Sequence, residues 1–336
     1  MAFSKLFKKR QVLTVDDLIY LHKLLSTSLS FNESVEIISN NKNKYIFDDI
    51  VSKLNDGTLI ENIIPAYLPD ELRINFNELI INMSFLEALS LSLTFYDEDK
   101  SNQNILWNSL TYPIVLLFIS IISLYFFDLY GIDTIFSLVS TFSVDLLFIK
   151  SLRIIFSIVI KIIFYLFLIS CLIFIYYRQA KRIILFYIKI SSYFPNSLMN
   201  IYYCSQFMKL FLICLKKGYK SKQVIEILKH MKSKPIISFL AFHIDDSLNK
   251  GNTLKESVYN NTYYDSSLSS FIKIANCTND FENIIITYVD YSKERIIKKL
   301  KKYTLTIQLT TYIFIGFVVL FIYQILFLPM QAIMTF

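Results

Sequence analysis

The sequence predicts an all-α integral membrane protein with two homologous cytoplasmic helical-bundle domains and three transmembrane helices. Three observations carry this expectation. Residues 110–127, 154–177 and 305–328 are apolar windows near the length of about 20 residues that a helix needs to cross a bilayer core. Outside them, apolar residues recur three or four positions apart, which is the helical period. The stripes that precede residue 110 return in the same order after residue 177, at an offset of roughly 190 to 196 residues.

The 336 residues are 54% hydrophobic and 16% aromatic, and the mean hydropathy is +0.47. A soluble chain of this length is normally more polar. The net charge of +7 fits basic cytoplasmic flanks of membrane helices better than nucleic-acid binding. Cys171, Cys204, Cys214 and Cys277 lack CxxC spacing, which argues against a disulfide framework or a metal site. Residues 1–11 are basic, but Thr14-Val15-Asp16-Asp17 follows instead of an apolar core. No signal peptide is expected, so the first domain is expected on the side of synthesis.

The elements follow in order. Lys5, Lys8, Lys9 and Arg10 form a basic arm, residues 1–13. Thr14 with Asp16 and Asp17 reads as a helix start, with acids in its first turn. Leu18, Leu21, Leu25 and Leu29, with Leu24 beside them, form the first stripe. Val35, Ile37 and Ile38 form the second, and Phe47, Ile50, Val51 and Leu54 the third. Gly57 closes that helix, where a left-handed residue is needed. After Pro65 and Pro69, Leu72, Phe76, Leu79, Ile80 and Met83 form the fourth stripe, and Leu86, Leu89 and Leu93 the fifth. Residues 97–104 read as a polar break, with a last helix from Ile105 entering the membrane.

The second series begins with Phe207, Leu210, Phe211, Cys214 and Leu215 and turns at Lys216-Lys217-Gly218-Tyr219. Val224, Ile225, Ile227, Leu228 and Met231 follow, then Leu240, Ile244 and Leu248, closed at Gly251. Tyr263-Tyr264-Asp265 occupies the loop position of Tyr67. Leu268, Phe271, Ile272 and Ala275, then Ile284, Ile285, Tyr288 and Val289, complete the series. Val35-Glu36-Ile37-Ile38 aligns with Ile225-Glu226-Ile227-Leu228, and Leu54-Asn55-Asp56-Gly57 with Leu248-Asn249-Lys250-Gly251. The competing explanation is two unrelated bundles that share a composition.

Lys and Arg counts near the segment ends orient the chain. The basic arm precedes the first span, and Asp128 and Asp133 follow it. Arg178, Lys181 and Arg182 follow the second; Lys293, Arg295, Lys298, Lys299, Lys301 and Lys302 precede the third. Lys150 and Arg153 run against the trend. The expected layout is cytoplasmic domains at residues 14–109 and 178–304, spans at 110–127, 154–177 and 305–328, and an extracytoplasmic link (128–153) and C-terminus (329–336). Lys161 inside the second window is either a lysine snorkelling to the outer interface or a functional intramembrane charge.

The chemistry of an enzyme is missing. Five glycines leave no phosphate-cradling loop, and His22, His230 and His243 form no HExxH. The acidic pairs Asp16-Asp17, Asp48-Asp49 and Asp245-Asp246 read most simply as solvated helix faces, or else as docking sites for a basic partner. Lys298, Lys299, Lys301 and Lys302 read as a juxtamembrane anchor to anionic lipid.

On these residues the chain resembles the inner-membrane platform family of type II secretion and type IV pilus systems. The resemblance runs over roughly residues 14–330. Tyr112-Pro113 resembles the family's Tyr-Pro at the first span, Lys217-Gly218 its Ala-Gly turn, and Gly251-Asn252-Thr253-Leu254 its Gly-x-x-Leu turn. Gly316 and the ending Tyr323-Gln324-Ile325-Leu326-Phe327-Leu328-Pro329-Met330 are similar to the competence-type platform of Gram-positive bacteria. Two departures stand out. The family's Gly-Glu-x-Ser/Thr-Gly turn has decayed at Ala275-Asn276-Cys277-Thr278-Asn279, so no ligand of that glutamate carries over. Ser28 stands where the first domain should have a glycine.

The resemblance implies a non-enzymatic plasma-membrane platform without a cofactor. It implies a cytoplasmic assembly ATPase, pilin-like subunits and the lipid bilayer as partners, with homo-oligomerisation left open and no direct nucleic-acid binding. The competence branch would support DNA uptake; a secretion or pilus system proper is the alternative within the family. A small transporter or channel subunit, or a tethered scaffold, is the alternative outside it. Asp48, Asp49, Lys298, Lys299, Lys301 and Lys302 are the candidate ATPase-docking residues, and residues 107–113 and 302–308 the joints expected to carry motion.

Overall fold

The structure, a computed structural model, describes residues 11–131, 133–134, 137, 146–177, 180–259, 261–277 and 280–334. The described residues are helical or in turns, without strands. The basic arm at Lys5, Lys8, Lys9 and Arg10, part of the 128–153 link, Arg178, and Thr278 and Asn279 of the decayed turn lie outside them.

The first series is α1 (Val15–Ser26), α2 (Phe31–Ile38), α3 (Lys44–Asn55), α4 (Ile60–Ile63), α5 (Asp70–Leu79) and α6 (Phe85–Phe126). Next come α7 (Leu146–Tyr177) and α8 (Ala180–Tyr193). The second series is α9 (Leu198–Lys216), α10 (Ser221–Lys229), α11 (Pro235–Asn249), α12 (Leu254–Tyr259), α13 (Ser266–Cys277) and α14 (Phe281–Met334). Six helices thus follow six in matching order, including the short fourth member.

Local chemistry sets these boundaries. Thr14 caps α1 and Ser30 caps α2, each in a reciprocal box with Asp17 and Glu33. The second helix of each series starts alike: the Ser30 N–H donates to Glu33 Oε2 (2.8 Å), and the Lys220 N–H to Gln223 Oε1 (2.9 Å). After the third helix, Gly57 (φ +84°) and Gly251 (φ +87°) make the same turn. The Thr58 N–H then reaches back to the Lys53 carbonyl (3.1 Å), as Asn252 does to Ser247 (3.2 Å).

The chain divides into two compact units. One holds the residues up to Gln103 together with Ile184–Lys293. Its core includes Leu18, Leu21, Phe47, Ile50, Leu72 and Phe76 from the first series and Phe207, Phe211, Leu240, Ile244, Leu268 and Ile285 from the second. The other unit holds Asn104–Ile183 and the residues from Glu294 onward. There the described side chains of α7 and of α14 beyond Thr304 are largely exposed, among them Ile162, Leu166, Leu172, Phe317 and Leu320.

Three expectations change. Residues 97–104 are no break: α6 runs unbroken across them, because Asp, Glu, Lys, Ser, Asn and Gln are polar without being helix breakers. Ile37 belongs to no buried stripe; it is exposed, and Val35 alone of its trio is buried. α8 was not anticipated as an element. By length and composition alone, four helices could cross a membrane: α6, α7, α9 and α14.

Candidate functional site

Within the first compact unit, α5 and α6 of the first series meet α9 and the turn between α10 and α11 of the second through polar contacts. Glu98 pairs with Lys209, and Asp99 with Lys234. Lys217 Nζ donates to Ser90 Oγ (2.7 Å). At the far end of α5, Glu78 accepts from the Ser233 N–H (2.8 Å) and from its hydroxyl (2.6 Å). The first series supplies the carboxylates and the second the ammonium groups. Lys234 is 11% exposed and Asp99 26%, so this pair is screened less than a surface bridge. The polar run misread as a break is what α6 brings to this junction.

Beside the Lys217 contact lies a cavity of about 140 Å³, lined by His22, Leu86, Glu87, Ser90, Leu91, Lys217 and Tyr219. Each polar wall has a distinct charge state. Glu87 accepts from the Ser84 hydroxyl (2.9 Å) and N–H (3.2 Å) at the start of α6, and these bonds hold it below the usual carboxylate range. Burial, helped by Glu87, pushes Tyr219 up to about 12. Burial also lowers His22, and the nearby Lys217 ammonium lowers it further. At neutral pH the pocket therefore holds the Glu87 carboxylate and a neutral His22 imidazole. It contains no nucleophile activated by an adjacent base. Among the described residues, no three His, Cys, Asp or Glu side chains converge to hold a metal ion.

A second buried network ties α8 to the second series. The Tyr187 hydroxyl donates to the Tyr263 carbonyl (2.6 Å) and stands 2.8 Å from Asn200 Oδ1. Cys204 is buried beside it and accepts from the Asp265 N–H (3.3 Å); burial pushes its thiol up to about 12. That thiol is inert at neutral pH.

In the other unit, Asp128 is buried at the end of the α6 segment, in a short π-helical turn, Phe127–Gly131. Lys161 Nζ lies 3.8 Å from Asp128 Oδ2, and Ser157 Oγ donates to the same oxygen (3.0 Å). Tyr125 stacks on Phe164 with ring centroids 4.2 Å apart. Lys161, with no partner in the sequence reading, thus has one. Thr304 donates to the Ser109 carbonyl (3.0 Å), and the Tyr112 and Tyr312 hydroxyls are hydrogen-bonded.

The sequence-derived candidates are scattered among these features. Tyr112 is exposed, and Pro113 lies inside α6. Gly218 (φ +90°) and Gly251 hold left-handed turns, and Leu254 opens α12. Gly316 has open space around it within α14, and Tyr323 stacks on Phe327. The side chains of Pro329 and Met330 lie outside the described residues. Asp48 is exposed, and Asp49 accepts from Lys53 (2.8 Å) and bonds Tyr67. Asp245 likewise pairs with Lys229 (2.8 Å) and Asp246 with Lys250, so the acidic pairs are not simply solvated. Lys298, Lys301 and Lys302 are exposed and Lys299 half-buried on α14, with Lys298 3.5 Å from Glu294. The junction residues Glu78, Glu98, Asp99, Lys209, Ser233 and Lys234 were absent from the sequence reading. Only their tertiary partners distinguish them from other surface charges.

Residues 207–329 match the family model described as Type II secretion system (T2SS), protein F. The match covers most of α9 and α14 and everything between, which is the second helical series. No curated protein matches the chain. The apolar helices together with this match indicate a multi-pass membrane protein.

Proposed function

We propose that the chain is the membrane platform of a machine that assembles a pilus-like filament, and that it performs no catalysis itself. The observation that carries this is the protein F match over the second helical series, joined to a first series with the same helix order. On this reading the two series are copies of one module. α6, α7 and α14 cross the membrane. α9 does not: 56% of its apolar window is buried, against 6–11% for the other three. Both modules then face the cytoplasm, with the Asp128 turn and the C-terminus outside.

A platform of this kind couples a cytoplasmic assembly ATPase to pilin-like subunits in the bilayer. α6 and α14 each contribute residues to both compact units, which suits them to carry movement of the modules into the spans. The polar junction supports this role. Ion pairs are directional and exchangeable, so they permit two registers of the modules more readily than a dry apolar seam does. Support of DNA uptake is the specific system we favour, on the resemblance of the final span to competence-type platforms.

Affinity capture of the full-length protein from native membranes tests the platform reading. Copurification of an assembly ATPase and small pilin-like subunits is expected. Recovery of neither overturns it. Reversal of Asp48 together with Lys298, Lys299, Lys301 and Lys302 should reduce ATPase capture at least tenfold; unchanged capture removes these residues from the docking surface. Deleting the gene and scoring DNA uptake beside protein secretion separates the two systems.

A further inference from the structure

α8 has two faces with opposite fates. Tyr187 and Ser191, one turn apart, are fully buried, and the Tyr187 hydroxyl is bonded into the second series through Tyr263 and Asn200. The helix is therefore fixed in rotation. Leu185, Lys189 and Tyr193 follow at helical spacing on the other side, and all three are exposed. Phe194, just past the end of the helix, is exposed as well. Leu185 is 64% exposed, Tyr193 73% and Phe194 68%, on a helix whose inner face is well packed. Arg182 extends the same stripe by one turn, with its guanidinium 3.9 Å from the Tyr176 ring centroid.

An aliphatic, two cations and an aromatic in one row, with a second exposed aromatic at the helix end, are the composition of a helix that lies in a bilayer interface. Chain connectivity places the surface within reach. α7 ends at Tyr177 and α8 begins at Ala180, so Leu185 lies at most about 20 Å of chain from the last residue of the span. The long stems of Lys189 and Arg182 suit a position where the chain is apolar and the head group meets phosphate.

We propose that α8 lies in the cytoplasmic headgroup layer and binds anionic lipid through Arg182, Leu185, Lys189, Tyr193 and Phe194. This inference rests on α7 crossing the bilayer, and the experiment separates the two.

Full-length protein carrying Trp107→Phe is reconstituted into vesicles of phosphatidylcholine and phosphatidylglycerol. Tyr193→Trp is the reporter, and Leu168→Trp, inside α7, is the control. Lipids brominated along the acyl chain should quench both tryptophans at least twofold. Lys189→Glu should restore most of the Tyr193→Trp emission and leave the Leu168→Trp control quenched, as should replacing phosphatidylglycerol with phosphatidylcholine. The proposal is overturned if the position-193 signal is untouched by brominated lipid and quenched by aqueous iodide while position 168 stays lipid-quenched. It is equally overturned if position 193 is shielded from both quenchers in a manner that rises with protein-to-lipid ratio, since a second copy then covers the face. An unquenched position 168 overturns the spanning assignment of α7 and this inference with it.

Discussion

Ser28 and Gly218 hold the same left-handed turn after the first helix of each series, at φ +68° and +90°. The Ser28 N–H donates to the Leu25 carbonyl (3.3 Å), and the Gly218 N–H to the Leu215 carbonyl (2.8 Å). Ser28 is the only non-glycine residue at positive φ among the described residues. For an L-residue this conformation costs about 1–2 kcal/mol, while glycine loses about 0.5–1 kcal/mol more chain entropy on folding. Ser28→Gly should therefore raise stability by about 0.5 kcal/mol. Gly218→Ala should lower it by about 1 kcal/mol, although no neighbour lies within 4 Å of the added Cβ. Thermal midpoints of the detergent-solubilised chain check both signs. A stabilising Gly218→Ala would show that the turn is not held in solution.

The Asp99–Lys234 pair at the α6–α11 junction should be coupled rather than additive. Lys234→Met leaves Asp99 without its partner in a largely buried setting, and Asp99→Asn does the reverse. Each should cost about 1–3 kcal/mol. The double variant should recover at least about 1 kcal/mol of the summed loss. Denaturant midpoints measured for the full cycle decide this. Strict additivity would mean that the pair is a surface contact and that the junction is held by apolar neighbours.

What could be read from the sequence follows the range of the interaction. Thr14 with Asp17, and Gly57 and Gly251 as helix stops, were legible because a cap and its partner lie within three residues. The matching helix order was legible because turn positions mark helix ends whatever the side chains between them. The polar run at residues 97–104 was misread because its partners, Lys209 and Lys234, are more than a hundred positions away. Asp49 looked like a solvated acid because Tyr67, which bonds it, belongs to a different loop. α9 is apolar enough for a membrane span on composition, and only its tertiary partners bury Phe207, Phe211 and Cys214. The sequence also offers no sign that Tyr187 pins α8, since its acceptor is a backbone carbonyl.

Stability of the first compact unit should fall as pH drops below about 6.5. His22 and His243 both have pKa values lowered by burial, so the folded state binds fewer protons than the unfolded chain in the window just below the ordinary histidine value. Unfolding then becomes easier with each proton the unfolded chain gains. A fully coupled histidine changes stability by about 1.4 kcal/mol per pH unit; these two are half-exposed, so the combined slope should stay below that. His22→Gln with His243→Gln should flatten the midpoint between pH 5.5 and 7. His22→Gln alone should also relieve repulsion with Lys217 at low pH. A slope unchanged in the double variant would assign the acid sensitivity to carboxylates instead.

Asp128 and Lys161 distinguish a snorkelling lysine from a membrane-embedded ion pair. If Lys161 only reaches for the interface, Lys161→Met is neutral or stabilising, because a charge leaves an apolar segment. If Asp128 depends on it, the same change strands a carboxylate that is 3% exposed and keeps only the Ser157 hydroxyl. A lone charge at membrane depth costs about 2.5–3.5 kcal/mol on insertion scales. Asp128→Asn and Lys161→Met should therefore each lower the thermal midpoint in detergent, and the double variant should return near the parent. Protease protection of the 128–153 link, measured in vesicles, shows whether the hairpin keeps its topology in each. Equal damage from the double variant and the summed singles would show that the 3.8 Å approach is incidental, and that the charge of Lys161 serves an interaction outside the hairpin.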